Sequence, residues 1–330
     1  MSVKTQEFLF QRIRELLPPN VSLADAVADI LNLSTDSAYR RIRGETALVL
    51  EEVSELCRHY GISLDQLLKI ESGSTIFRNV RINLKEYDYN AYLADLARLL
   101  KSIAAAERKE IIYLTKDLPL FHNFYCAPLL AFRYFFWMKT IVDHPDFAQR
   151  QFEIDCITPE TAQRSREALQ AYIEIPSVEI WNTECINSII SQVEFYRESG
   201  YFASAADIKT VYHALEETIL HVRDQVAHGC KFMPGESPDN KRNNFSFFYN
   251  RIVLGTNVII TLMDNLKTCY FNYDVLNYLV TRDESFCNSC HADLQNLMKR
   301  ATLVSQTGER HRNIFFGILL NKVTERLKSL

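Results

Sequence analysis

The stretch Ser34-Thr35-Asp36-Ser37-Ala38-Tyr39-Arg40-Arg41-Ile42-Arg43-Gly44 decides how the first part of the chain is read. Ser34 can accept a bond from a free amide in the first turn of a helix, and Gly44 can take the left-handed conformation that ends one. Both ends are therefore defined. Between them Ala38 and Ile42 lie four apart and give only a thin apolar face, while Thr35, Asp36, Ser37, Tyr39, Arg40 and Arg43 point away from it. A core helix needs a wider stripe. The first turn offers short hydrogen-bonding side chains, and Arg40, Arg41 and Arg43 offer planar forks suited to guanine edges or phosphate, the pattern of a DNA recognition helix. Taken alone, the same stretch also describes a solvated surface helix.

The flanks separate the two readings. Upstream, Ser22 to Leu31 reads as a second helix with Val27, Ala28, Ile30 and Leu31 apolar, and only Asn32 and Leu33 separate it from Ser34. The pair is a helix-turn-helix. Phe8, Ile13, Leu16 and Leu17 predict a preceding helix from Thr5 that Pro18-Pro19 ends. Downstream, Leu50, Val53, Leu56, Cys57 and Tyr60 recur at helical spacing up to Gly61, and Ser63 to Leu68 reads as a capped final turn. With Gly61-Ile62-Ser63-Leu64-Asp65 at its distance from Gly44, the first 70 residues or so resemble the lambda repressor and Cro-like (XRE) helix-turn-helix family, and within it the BetR-type regulators. The resemblance implies a bundle that lays its second helix in the major groove of double-stranded DNA. It also implies contacts from Ser34, Thr35, Asp36, Ser37, Tyr39, Arg40, Arg41 and Arg43. Two positions depart from the family pattern: Ala24 stands where a glutamine usually opens the second helix, and Arg41 occupies an apolar recognition-helix position, with Ile42 supplying the packing.

Composition bounds what the whole chain can do. Its 330 residues, 47% of them hydrophobic, are comfortable for a small domain and a large one. Net charge is −4, and residues 1–70 carry eight Lys or Arg against ten Asp or Glu, so DNA binding has to use a local patch rather than a basic blanket. No signal peptide and no run of about 18 apolar residues is present, which predicts a cytoplasmic protein with no membrane span. In that compartment the eight cysteines read as reduced thiols.

The small polar run Glu71-Ser72-Gly73-Ser74 predicts a hinge over 71–75, between a helix-turn-helix domain at 1–70 and a larger domain at 76–330. In the latter, Ile76 to Ile82, Glu110 to Thr115 and Val178 to Trp181 read as strands. Asn90 to Ala106, Thr158 to Ile175, Thr183 to Ser199, Ser204 to Gly229, Glu284 to Ala301 and Glu309 to Leu330 read as helices. Phe245 to Leu254, Val258 to Met263 and Leu266 to Asn272 read as an antiparallel meander. The expected class is an all-α helix-turn-helix domain followed by a mixed α/β domain with an antiparallel β-meander.

Two motifs could carry other chemistry. Cys287-Asn288-Ser289-Cys290-His291 matches the haem-attachment pattern, but it falls inside an expected helix and lacks an export signal, which favours packing. Glu217, His221, Asp224 and His228 recur at spacings of four, three and four, so one helix face could offer a metal two imidazoles and two carboxylates; a solvated polar face has the same spacing. No phosphate loop, nucleophile elbow, zinc-protease signature or phospholipase D-type His-x-Lys motif appears. The sequence is read as a non-enzymatic, cofactor-free regulator of transcription that binds double-stranded DNA as a homodimer. The larger domain would dimerise or sense a small-molecule effector. The competing readings are a metal-dependent sensor or enzyme in 76–330, and a protein-interaction adaptor whose helix-turn-helix does not grip DNA.

Overall fold

The computed structural model describes residues 3–18, 21–62, 64, 74–83, 86–239, 241–252, 256–274 and 276–330. The chain divides into two compact units, Met1–Ile76 and Phe77–Leu330. The turn expected at Ser63 to Leu68 and most of the hinge expected at 71–75 lie outside the described residues.

In the first unit helices α1 (Val3–Leu16), α2 (Leu23–Leu31), α3 (Thr35–Ile42) and α4 (Leu50–Tyr60) enclose a core that includes Leu9, Ile13, Val27, Ala38, Val53 and Leu56. The face of α1 differs from the expected one. Phe8 and Leu16 are 43% and 49% exposed, and the buried stripe is Gln6, Leu9, Phe10 and Ile13. These four recur at spacings of three, four and seven and share one side of the helix, whereas Phe8 falls on the opposite side and Leu16 at the edge.

Among the described residues the second unit is built on an eight-stranded sheet. Its strands are β1 (Arg78–Val80), β2 (Lys109–Leu114), β3 (Ser177–Trp181), β4 (Phe245–Tyr249), β5 (Val258–Met263), β6 (Leu266–Asn272), β7 (Tyr278–Thr281) and β8 (Thr302–Leu303). They lie in the order β1-β7-β6-β5-β2-β3-β4-β8, with β2, β3 and β4 mutually parallel and every other pairing antiparallel. The helices are α5 (Tyr89–Ala105), α6 (Ala127–Phe136) continued by a π turn at Trp137–Ile141, α7 (Pro159–Ile173), α8 (Asn187–Glu198), α9 (Ala205–His228), α10 (Glu284–Arg300) and α11 (Glu309–Lys328). Local chemistry sets their ends. Thr158, Ser204 and Asp283 each accept a first-turn amide, and Gly229 closes α9 at φ +67°.

The meander is real but begins one strand later than expected. β5, β6 and β7 form it, while Phe245–Tyr249 pairs in parallel with β3. The reason is the preceding helix pair: a chain that leaves β3, crosses one face as α8 and α9 and returns to the sheet arrives parallel to the strand it left. Strand β2 is buried on both faces. Ile111 and Tyr113 join the large core under the helices, and Ile112 and Leu114 join a smaller one with Ile260, Cys269, Cys287 and Leu294. Cys287 of the haem-like motif is thus fully buried packing against the sheet.

Inside the large core lies a polar knot that hydrophobic patterning does not reveal. The Glu179 carboxylate, fully buried, faces His122 Nε2 at 2.9 Å, accepts the Trp181 indole N–H at 2.7 Å and accepts the Tyr172 hydroxyl. Lys231, also buried, lies over the Tyr172 ring and donates to the carbonyls of Tyr172 and Ile175 at 2.7 and 2.6 Å, so its amino group covers the carboxyl end of α7; burial lowers its pKa to about 7, with Glu179 opposing. Burial alone would raise the Glu179 pKa; His122, the Tyr172 hydroxyl and Lys231 outweigh it and hold the carboxyl below its usual range. A depressed carboxylate pKa means that this stabilisation is present at neutral pH and is lost as pH falls below about 4.5. Glu179→Leu, which strands three polar partners, is expected to cost about 3–5 kcal/mol in urea unfolding, and Glu179→Gln distinctly less. Equal losses would refute the role of the carboxylate as acceptor.

Candidate nucleic-acid interface

Helices α2 and α3 are joined by Asn32, Leu33 and Ser34. Asn32 takes the left-handed conformation at φ 51°, and the Leu33 amide returns to the Ala28 carbonyl at 2.9 Å, which turns the chain sharply enough to set α3 across α2. Ser34 caps α3 by accepting the Ser37 amide at 3.3 Å. At the other end Gly44 adopts φ 77°, and the Gly44, Glu45 and Thr46 amides bond back to the carbonyls of Arg41 and Arg40. A helix of eight residues has little stability of its own. Its orientation is imposed from outside.

Two groups impose it. The Gln6 side chain, 3% exposed, donates to the carbonyls of Arg41 at 2.7 Å and Thr46 at 2.8 Å and accepts the Leu48 amide at 3.0 Å. One amide thus ties α1 to the end of α3 and to the loop that follows. Arg41 points inward to Glu52 on α4, with its Nε 3.1 Å from both carboxylate oxygens and its Nη2 at 2.7 Å. Glu52 also accepts the Val49 amide at the start of α4. Burial pushes the Glu52 pKa up, but Arg41 and the Val49 amide pull it down further, and the net shift is downward.

The remaining side chains of α3 divide cleanly. Ala38 is buried and Ile42 half-buried against the core, while Ser34, Thr35, Asp36, Tyr39, Arg40 and Arg43 are exposed and Ser37 is half-exposed beside the cap. Asp36, Tyr39, Arg40 and Arg43 are spaced by three and four and form one outward stripe. Arg40 and Arg43 are 66% and 67% exposed, and their nearest carboxylate is Glu45, at 3.9 and 3.6 Å. Such pairs are weak and open readily to another anion. Arg43 also lies 5.7 Å from the centre of the Tyr39 ring. Arg41 does not belong to this stripe: its position on the helix turns it to α4, and its guanidinium is occupied there.

Sequence reasoning missed Gln6 and Glu52, although each left a signal. Gln6 is the polar member of an apolar stripe, and Glu52 stands at the third helical position of α4, where a carboxylate caps a helix start.

The metal candidates on α9 do not converge. His221 Nε2 lies 2.9 Å from the Phe232 carbonyl, and His228 Nδ1 lies 2.9 Å from the Asp224 carbonyl and 3.4 Å from the Asp224 carboxylate. Glu217 instead approaches the Cys126 thiol at 3.6 Å. Among the described residues no group of three or more His, Cys, Asp or Glu is placed to hold a metal ion.

Gln6→Ala and Arg41→Ala should each lower the stability of the first unit by about 1–3 kcal/mol. Arg40→Ala should change it by less than about 0.5 kcal/mol. Native-state hydrogen exchange of the α1–α4 amides reads this unit separately from the second.

Residues 4–77 match the family model of the BetR domain, a helix-turn-helix family associated with DNA-binding regulators. Neither the curated proteins nor the solved structures give a match to the chain.

Proposed function

We propose that the chain is a sequence-specific transcription regulator of lambda repressor and Cro-like architecture, cytoplasmic and homodimeric, whose larger unit senses a small molecule and catalyses no reaction. The observation that carries the DNA-binding part is the outward stripe of α3, Asp36, Tyr39, Arg40 and Arg43, held at a fixed orientation by Gln6 and Arg41. The BetR match over residues 4–77 supports the same reading. Among the described residues no helix is long and apolar enough to cross a membrane.

On this reading Arg40 and Arg43 leave Glu45 for guanine edges or phosphates, and the hydroxyls of Ser34, Thr35 and Ser37 bond to the backbone at the helix start. Arg41 acts as a positioning residue. One short helix covers too few base pairs for a unique site, which is the argument for a dimer spanning half-sites about 34 Å apart. With two exposed arginines per recognition helix and Glu45 beside them, non-specific attraction is weak and selectivity rests on base contacts.

Selection of bound duplexes from a random pool is expected to enrich an inverted repeat. Arg40→Ala and Arg43→Ala should each lose about 1–3 kcal/mol of specific affinity with the helical circular dichroism unchanged. Glu45→Gln should raise affinity for any duplex, because it removes a competing carboxylate. Unchanged affinity in both arginine variants would overturn the assignment, and binding without salt dependence would point to a protein-interaction adaptor instead.

A further inference from the structure

The second unit holds a cavity of about 1180 Å³ at the carboxyl end of β2, between α5 and the face formed by β2, β5, β6 and β7. It lies beyond the carboxyl end of β2, which pairs in parallel with β3 on one side and antiparallel with β5 on the other. The cavity is large enough for a small molecule of considerable size.

Its walls are of two kinds. Along α5, lining residues run from Ala91 to Ile103, twelve rises of about 1.5 Å, which makes a trough about 18 Å long. Leu96 and Leu99 on the helix and Ile259 and Tyr270 on the strands make that trough largely apolar. Beside its Tyr92 end stand Arg133 and Trp137, with the Tyr92 and Trp137 rings 6.2 Å apart and the Arg133 guanidinium 5.6 Å from the centre of the Trp137 ring.

The polar end is under-satisfied. Arg133 donates to the Gln192 amide oxygen, and its Nε is buried without a partner. The Trp137 indole N–H, the Tyr87 hydroxyl and the Asn123 side-chain oxygen are also buried without a partner, and all four residues line the cavity. Three of these four groups can donate. That selects an acceptor-rich head over a cationic one, and a carboxylate fits a guanidinium in two-point fashion. Burial lowers the Arg133 pKa to about 10, with Asp117 opposing, so the guanidinium stays charged at neutral pH. Of the acids that line the cavity, Asp95 pairs with Arg98 and Asp274 with Asn277, each at 2.7 Å, Glu86 accepts from Asn83 and Asp88 caps α5, while Asp117 acts on Arg133 only through space.

We propose that this cavity binds an amphipathic monocarboxylate of medium acyl-chain length, with its carboxylate on Arg133 and Trp137 and its chain along the α5 trough. As an effector site the assignment rests on the regulator reading; as a binding site it does not.

Calorimetric titration of the full chain with dodecanoate, below its micelle concentration, tests the proposal. Saturable one-site binding is expected, at least tenfold tighter than dodecanol or dodecylamine, with acetate not bound. Arg133→Gln should weaken dodecanoate at least tenfold and leave dodecanol nearly unchanged. Ala91→Trp, at an exposed α5 position lining the trough, should weaken dodecanoate and dodecanol alike, and it serves if the arginine variant does not fold. No saturable binding, equal affinity for acid and alcohol, or unchanged binding in Ala91→Trp would overturn the proposal. DNA selection on the same preparation separates the two readings: DNA binding without dodecanoate binding refutes the pocket alone, and the converse refutes the regulator alone.

Discussion

The first unit depends on the fixing of an eight-residue helix that cannot fix itself. Forming a first helical turn costs more backbone entropy than its few hydrogen bonds return, so α3 exists in one orientation only because its neighbours hold it. Ala38 and Ile42 give it a narrow apolar seat. Gln6 and the Arg41–Glu52 pair supply the rest with directional bonds that define its rotation and its end. Rotation is the quantity that matters for reading a groove, because 100° per residue decides which side chains face outward.

This arrangement assigns opposite roles to adjacent arginines. Arg40 and Arg43 stand in solvent with loose partners, available to an anion, whereas Arg41 is half-buried in a forked ion pair. A guanidinium suits both tasks, since its fork matches a carboxylate as well as a phosphate or guanine edge. Which task each one performs follows from its angle on the helix rather than from its chemistry.

The larger unit solves a different problem. Strand β2 is sealed on both faces, so polar groups packed beside it gain by finding partners within the protein. The Glu179 carboxylate does this for His122 Nε2, Tyr172 and Trp181, and the carbonyls at the end of α7 do it for Lys231. Buried polar atoms without a partner occur elsewhere in this unit too, His122 Nδ1 among them, but four of them, on Tyr87, Asn123, Arg133 and Trp137, gather at the cavity beside α5. That clustering of donors in one accessible recess is what separates the pocket from the rest of the unit.

Much of this was legible from residues alone. Caps at Ser34, Thr158 and Ser204 and stops at Gly44 and Gly229 are local effects, decided by side chains within one turn of the helix end, and the structure forms each of them. The helix-turn-helix and the β5–β6 hairpin were readable for the same reason, being made by residues close in sequence. The parallel pairing of β4 with β3 was not, because it depends on where α8 and α9 deliver the chain. The inward turn of Arg41, the tie from Gln6 across 35 to 42 residues and the knot at Glu179 were not either. Sequence by itself determined most of the helices, several of their ends and the exposed basic helix. Tertiary structure decided which arginine faces out and where buried charges find partners, because those depend on contacts between residues far apart in the chain, which no local pattern encodes.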